Sequence, residues 1–306
     1  MVHLSAPKLV SILINSYNYG RFLPDAIESA IAQTYEHCEI VVVDDGSTDG
    51  SQKIIESYGD RIVPVLKANG GQASAFNAGF ERSRGDVVCL LDADDTFASH
   101  KAQRLVEVFD AWPTIGWCFH PIERVDKALK PMGWDEVYRG DAGRYDLRSL
   151  MQKGKLGSAP PFDCLVTSGM CFTRKMLSNL LPMPTDIKIT SDDYLKYAAM
   201  GTHLGFMLLE KLARQRLHGN NAYTGRDENQ ALQGKILLQT AYFLKRDFPT
   251  IGAFADNLYS LGLAKLSKHP PDDSLSPLMQ RYRKALLPWT ALKIGAKKTY
   301  YQYRSR

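Results

Sequence analysis

The sequence predicts an α/β fold in which a doubly wound mixed sheet is followed by a helical appendage. Three observations carry that expectation. Short apolar runs alternate with helix-like segments over the first 120 residues. One of those runs, EIVVVD (39–44), is short and β-branched, the mark of a strand buried on both faces of a parallel sheet. From Glu228 onward only helical periodicity remains. Strand–helix alternation at this spacing specifies parallel strands joined by crossover helices.

The elements follow in order. VSILIN (10–15) is the first strand, and Pro24 opens a helix with Ala26, Ile27, Ala30 and Ile31 on one face. EIVVVD (39–44) is a second strand, and Asp49 stands three before Gln52 as a capping-box-like start for a helix through Tyr58. IVPVL (62–66), a helix over 72–83, VVCLL (87–91), a helix from His100 to Trp112 and GWCFH (116–120) continue the alternation. GKLGSAPP (154–161) and LPMPTD (181–186) read as loops around a strand-and-helix segment, LVTSGMCFTRKML (165–177). Leu232, Ile236, Leu237, Ala241 and Leu244 make one apolar helical face ended by Pro249, and Ala253, Phe254, Leu258, Leu261 and Leu266 make a second. The expected division is a catalytic body over 1–225 and a helical region with a basic tail over 226–306.

Composition narrows the function classes. Of 306 residues, 44% are hydrophobic and 23% charged, which excludes a disordered or fibrous chain. No run approaches the ~18 apolar residues of a spanning helix, and MVHLSAPKLVSILI lacks the features of a signal peptide. Cys38, Cys89, Cys118, Cys164 and Cys171 form no CxxC pair, which suggests reduced thiols and a cytoplasmic address. The net charge of +5 is unevenly placed: residues 274–306 hold eight Lys/Arg and no Asp/Glu, leaving −3 for the rest. The body is therefore not a nucleic-acid platform. No GxxxxGK[ST] occurs and no GxGxxG follows the first strand, so P-loop and dinucleotide readings fail.

Three acidic clusters fall just past the ends of strands or at a helix start, where α/β enzymes keep their chemistry. They are Asp44-Asp45-Gly46-Ser47-Thr48-Asp49, Asp92-Ala93-Asp94-Asp95 and Ser191-Asp192-Asp193-Tyr194. Turn and cap chemistry accounts for Ser47, Thr48 and Asp49. It accounts badly for three carboxylates in four residues behind a buried strand, which repel one another unless a cation is present. Carboxylate oxygens suit Mg²⁺ or Mn²⁺, and Mg²⁺ is usually held by one or two carboxylates plus substrate phosphates.

Taken together, the strings at 10–18, 41–51, 69–79 and 85–95 closely resemble the family 2 glycosyltransferases of GT-A fold, over roughly residues 8–225. The resemblance implies an inverting transferase that moves a sugar from a nucleotide-diphosphate sugar, a UDP-sugar above all, to a hydroxyl of a glycan or lipid-linked acceptor. Asn15, Ser16, Tyr17 and Asn18 would hold the nucleotide, with Asp45 accepting the uracil imide N–H. Tyr17 fits stacking on the base and packing under the loop equally well. Where many members carry Arg before the helix Asn, this chain has Phe76, leaving Gln72 and the helix N-terminal N–H groups to meet the diphosphate. Asp92 would contact ribose or sugar, and Asp94 would bind the Mn²⁺ or Mg²⁺. Ser191-Asp192-Asp193 resembles the motif that supplies the general base, with Asp193 as base and Asp192 as the like charge that raises its pKa. Arg216-Leu217-His218-Gly219-Asn220-Asn221 resembles the closing segment, with His218 as a further metal ligand and Arg216 supporting the phosphates.

Two rival readings exist. Leu90-Leu91-Asp92-Ala93-Asp94-Asp95-Thr96 also fits the motif of haloacid-dehalogenase-like phosphatases, but that motif belongs on a first strand, and about ninety residues of organised sequence precede it here. A non-catalytic nucleotide-sugar-binding scaffold is the other, disfavoured by retention of Asp94, Asp193 and His218. The basic, aromatic tail reads either as an amphipathic anchor on anionic lipid at the inner face of a membrane or as a solvated terminal helix.

Overall fold

In the computed structural model the described residues are 6–133, 138–163, 166–188, 190–219, 221, 229–269 and 273–304. The chain divides into two compact units. The first comprises residues up to 146, Phe162–Lys188 and His203–His218; the second comprises Leu147–Pro161, Ile189–Thr202 and Gly219–Arg306. The junction expected at 225/226 lies outside the described residues.

Among its described residues the first unit holds eleven strands, β1 (Val10–Ser16), β2 (Cys38–Asp44), β3 (Val63–Leu66), β4 (Val87–Asp92), β5 (Thr96–Phe97), β6 (Trp117–Phe119), β7 (Glu123–Asp126), β8 (Gly143–Tyr145), β9 (Met170–Thr173), β10 (Gly205–Met207) and β11 (Ala213–Leu217). Eight of them form one mixed sheet in the order β3-β2-β1-β4-β9-β6-β10-β8. β1 pairs in parallel with β2 and with β4, in a register that sets Asn15 beside Val43 and Asp92. β9 runs antiparallel to both β4 and β6. The runs of β1, β2 and β4 become inner strands, with Val10, Ile14, Val42, Val87 and Leu91 fully buried, whereas the run of β3 lies at the sheet edge with half-buried and exposed residues in alternation.

The order reverses between β1 and β4, since β2 and β3 build away to one side and β4 returns to the other. Such a switch point leaves a crevice outside the carboxyl ends of the two strands. Asn15, Ser16 and Asp92 end those strands. β11 pairs antiparallel with β5 and in parallel with β7 in a small three-stranded sheet. That sheet carries Arg216 back to the turn after β4.

Helix Leu23–Ile31 buries Leu23, Ala26, Ile27 and Ala30 as the periodicity predicts. The expected capping box at Asp49 is not formed. Gly50, at φ 89°, is the cap of helix Ser51–Ser57, and Asp49 instead accepts the N–H groups of Ser51 and Gly20 at 3.1 and 2.8 Å. A two-residue spacing lets the carboxylate reach Ser51 directly, and Gln52 turns to Asp44 at 3.2 Å.

The second unit is helical among its described residues, with helices Arg148–Gln152, Ser191–Thr202, Gln230–Asp247, Gly252–Leu266, Ser276–Lys284 and Pro288–Arg304. The buried face of Gln230–Asp247 is rotated from the expected one: Gly234, Leu238, Ala241 and Leu244 are buried, while Leu232, Ile236 and Leu237 are only half-buried. The cause is a close helix crossing, where a Cβ on Gly234 would stand 2.6 Å from Leu266 Cγ and one on Gly262 would stand 3.0 Å from the Gly234 carbonyl. No described helix is long and apolar enough to cross a membrane.

Candidate active site

The turn after β4 is built by buried polar groups. Asp95 is 2% exposed, and its carboxylate accepts from Ser168 Oγ at 2.6 Å and from the Arg216 N–H at 3.0 Å. Ser168 Oγ in turn accepts the Asp92 N–H at 3.2 Å, and the Asp95 N–H closes on the Asp92 carbonyl at 3.0 Å. Beneath them the buried Lys101 ammonium donates to the Ser168 carbonyl at 2.8 Å and lies 3.3 Å from the Phe97 ring centre. Burial, with the Asp94 and Asp92 charges added, pushes the Asp95 carboxyl well above the usual range. Asp95 thus shapes the turn from inside.

Asp94 stands apart from that scaffold. Its Oδ2 lies 3.1 Å from His218 Nε2, and burial raises its carboxyl while the imidazole partly opposes the rise. His218 is packed by Phe22, ring centres 4.5 Å apart, and by Tyr19 at 5.8 Å, which fixes the plane of its ring. Asp94 and His218 therefore come together in the turn that Asp92 opens at the end of β4. Among the described residues no group of three or more His, Cys, Asp or Glu side chains converges in a metal-holding arrangement. The pair Asp94–His218 fits a cation site completed by substrate oxygens, because hard carboxylate and imidazole suit Mn²⁺ or Mg²⁺ and a raised buried carboxyl gains from a positive neighbour.

Arg216 differs from its expected place. Its guanidinium donates to the Asp94 carbonyl (3.0 Å), the Lys127 carbonyl (3.0 Å) and Asp25 Oδ2 (2.7 Å), over the Phe22 ring at 4.8 Å. At 3% exposure it holds the turn backbone rather than facing outward.

The loops after β1 and β2 are similarly self-engaged. Asn18, at φ 59°, gives its N–H to Ser47 Oγ at 2.8 Å and accepts the Thr48 N–H at 2.8 Å. Asp45 accepts from Lys67 Nζ at 2.6 Å, from Gly70 N–H at 3.0 Å and from Gly71 N–H at 2.7 Å. In this arrangement those two amides serve Asp45, not a diphosphate. Gly46 and Gly71 have φ of 81° and 86°, and a Cβ at Gly46 would lie 2.7 Å from Asn69 N, so only glycine lets these loops meet. The Gln72 N–H donates to the Lys188 carbonyl at 3.2 Å, and Phe76 is a core residue at 2% exposure. Tyr17 is 47% exposed, which removes packing as the reason for its ring. Ser16 is buried and its hydroxyl has no hydrogen-bond partner among the described residues.

In the second unit, Asp192 and Asp193 occupy the first turn of helix Ser191–Thr202. Lys196, 1% exposed, is ion-paired with Asp193 one turn on. Burial first and the Asp193 charge second raise the Asp192 carboxyl to about 6, against the opposing pull of Lys196. The raised carboxyl is thus that of Asp192, with Asp193 supplying the like charge. Tyr194, behind them, donates to Asp247 Oδ2 at 2.9 Å. Asn220, in the closing segment, lies outside the described residues.

Ser168, Lys67, Lys101 and Lys196 were not singled out by sequence reasoning. Lys196 carried a usable signal, the i,i+3 helical spacing from Asp193. The other three had none, since the polar partners that place them at the site, Asp45 for Lys67, Ser168 for Lys101 and Asp95 for Ser168, are 22, 67 and 73 residues away.

The model of glycosyl transferase family 2 matches residues 11–176, which take in the strand ends, the acidic turns and Ser168. This chain belongs to glycosyl transferase family 2. An uncharacterized glycosyltransferase from Nostoc sp. is 39% identical over 218 residues, 69% of this chain and 66% of the relative. The chain thus spans about two thirds of that relative's length, and 32% of an uncharacterized glycosyltransferase from Rickettsia prowazekii that is 41% identical over 102 residues. Among solved structures, S. aureus TarS 1-349 in complex with UDP has a TM-score of 0.59 at 16% identity, covering 88% of this chain and 74% of that one. A mannosyltransferase from Pyrobaculum calidifontis, in complex with GDP-Man and Mn²⁺, has a TM-score of 0.56 at 18% identity, covering 96% and 85%. Both likenesses establish the shared GT-A fold of this family 2 chain.

Proposed function

We propose that this chain transfers a sugar from a nucleotide-diphosphate sugar, a UDP-sugar first, to a hydroxyl group of a glycan or lipid-linked saccharide, with inversion at the anomeric carbon. The observation that carries the reading is the Asp94–His218 pair at the switch point between β1 and β4, beside the ends of Asn15, Ser16 and Asp92. Family membership supports the reaction class, and the UDP and GDP-Man complexes of the two solved neighbours support the donor class.

Asn15, Ser16 and the exposed Tyr17 ring meet the nucleoside; the unpartnered Ser16 hydroxyl is available to a ribose oxygen. Asp45 and Asn18 keep the nucleotide loops in register, and a base N–H reaching Asp45 competes with Gly70 and Gly71 for its oxygens. Gln72 belongs to the helix facing the diphosphate, and Asp92 to the ribose or donor sugar. Asp94 and His218 hold a divalent cation, Mn²⁺ or Mg²⁺, which when bound neutralises charge on the departing nucleoside diphosphate. Arg216 and Asp95 hold the turn that presents Asp94.

Asp192 is the general base in this reading. Its carboxylate accepts the acceptor hydroxyl proton, the hydroxyl oxygen bonds to the anomeric carbon, and the bond to the diphosphate oxygen breaks on the opposite face. A carboxyl near 6 is ionised at neutral pH yet basic enough to take a proton as the oxygen reacts. The address is read as cytoplasmic, supported by Cys38, Cys89, Cys118 and Cys171, none of which is in a disulfide.

The test is a thermal-shift panel of UDP-, GDP- and dTDP-sugars with and without Mn²⁺, followed by nucleotide release with the stabilising donor. Stabilisation by one nucleotide class that depends on the metal is the expected result. No stabilisation by any donor in Mn²⁺ or Mg²⁺ would reject the donor site.

A further inference from the structure

The C-terminal helix Pro288–Arg304 has two unlike apolar faces. One is accounted for within its own unit. Ile294 is 5% exposed, Thr290 and Tyr301 are half-buried on the same side, and Lys297 donates to Asn257 Oδ1 of helix Gly252–Leu266. The preceding helix Ser276–Lys284 is tied to the same support by Tyr282, stacked on Tyr259 at 3.8 Å and donating to Asp256 Oδ1 at 2.8 Å.

The other face is exposed. Trp289 (55%), Leu292 (77%), Tyr300 (54%) and Tyr303 (71%) recur at spacings of 3, 8 and 3, with the exposed Ala296 between them. At ~100° per residue these five side chains fall in one stripe about 80° wide, on the side away from Ile294. Leu287, just ahead of the helix, is also exposed, at 61%. A core-packing role explains Ile294 but not this stripe. A stripe of this size on a water-facing helix marks a binding face.

The charges select the occupant. Lys293 is exposed beside the stripe, its Nζ 4.2 Å from the Trp289 ring centre, and Arg281, Arg283 and Lys284 are exposed on the preceding helix. No Asp or Glu occurs anywhere in 274–306, against eight Lys and Arg. Two copies of this face would set like charge on like charge with no carboxylate to answer it. Polyanionic nucleic acid would satisfy the cations but leave Leu287 and Leu292 in water. An anionic bilayer satisfies both, since Trp and Tyr sit at the headgroup level, Leu enters the acyl boundary and the cations meet phosphates.

We propose that residues 287–303 form an interfacial anchor that docks this chain on an anionic lipid surface, lying in the plane of the membrane. The proposal rests on this helix alone and not on the donor reading. The test is flotation of the full chain with phosphatidylcholine vesicles containing 30% phosphatidylglycerol, beside vesicles of phosphatidylcholine only. We expect association with the anionic vesicles, loss of it at 0.5 M salt, and a loss of about tenfold or more in the triple variant W289S/L292S/Y303S, with an unchanged thermal melt because all three side chains are exposed. Equal association with neutral vesicles, no association with anionic ones, or undiminished binding by the variant would each overturn it. So would lipid-free self-association, by sedimentation, that the variant abolishes, since the occupant would then be a second copy.

Discussion

Asp94 Oδ2 and His218 Nε2 lie 3.1 Å apart although 124 residues separate them in the chain. β11 makes the contact, because its pairing with β5 and β7 brings the end of that strand back to the turn after β4. The first prediction concerns this pair. His218→Ala removes one of two groups assigned to the cation and leaves Asp94 buried without its imidazole. The Mn²⁺ concentration needed for half-maximal donor-induced thermal shift should rise by at least tenfold, on the scale of losing one ligand group. An unchanged Mn²⁺ dependence would remove His218 from the site, whatever happened to turnover.

The second prediction separates the neighbouring aspartates by the sign of their effect on stability. Asp192 titrates near 6 in the fold and near 3.9 when unfolded. Between those values the folded state holds the proton that the unfolded chain has released. The contribution of this group to stability is therefore full below about pH 4 and is lost as pH rises through 6. Two pK units correspond to at most about 3 kcal/mol, so Asp192→Asn should be more stable than the parent at pH 7 and equal to it near pH 4. Transfer should fall by at least ~10²-fold, and parental transfer should rise with pH with a midpoint near 6. Melts from pH 4 to 8 check the first part, and a stability difference independent of pH would refute it.

Asp193→Ala should behave in the opposite way. It removes the ion-pair carboxylate of the Lys196 ammonium, 1% exposed, so that of the two aspartates only Asp192 still acts on that charge. Loss of one partner from a buried ion pair costs about 2–4 kcal/mol, which in a chain of this size lowers Tm by roughly 4–15 °C. Donor-induced stabilisation, measured well below that Tm, should persist. A variant as stable as the parent would show that Lys196 finds another anion.

The fold was legible where burial on both faces writes itself into composition. VSILIN, EIVVVD and VVCLL became β1, β2 and β4, and the spacing of Asp94 behind VVCLL placed it at the switch point. The antiparallel insertion of β9 between β4 and β6 was not legible, since Met170–Thr173 is too short to carry a direction. Turn chemistry was read in part: Asp49 accepts the Ser51 N–H at 3.1 Å, although not through the expected capping box. Side chains with distant partners were not legible. Arg216 looked like a phosphate ligand because its acceptors at Asp94, Lys127 and Asp25 lie 89 to 191 residues away. The raised carboxyl of Asp192 was not legible for a related reason, since helical spacing offers Lys196 to Asp193 but says nothing of how deeply each carboxylate is buried.

The last prediction tests whether Arg216 shapes the turn. Three of its nitrogens donate to separate acceptors, two of them backbone carbonyls, and its plane lies over Phe22. Lysine keeps the charge but is a single point donor that satisfies one acceptor at a time. Arg216→Lys therefore strands at least one buried carbonyl, at a cost of about 1–3 kcal/mol, and frees the Asp94 backbone from its clamp. A phosphate ligand would tolerate the exchange in stability and lose donor affinity in proportion to the diphosphate charge. A clamp predicts instead a lower Tm without donor, and equal proportional losses for UDP and for a UDP-sugar. Asp25→Asn, which keeps an oxygen acceptor at a half-exposed position, should cost under about 1 kcal/mol. A parent-like Tm in Arg216→Lys, together with weakened diphosphate binding, would return this arginine to the phosphates.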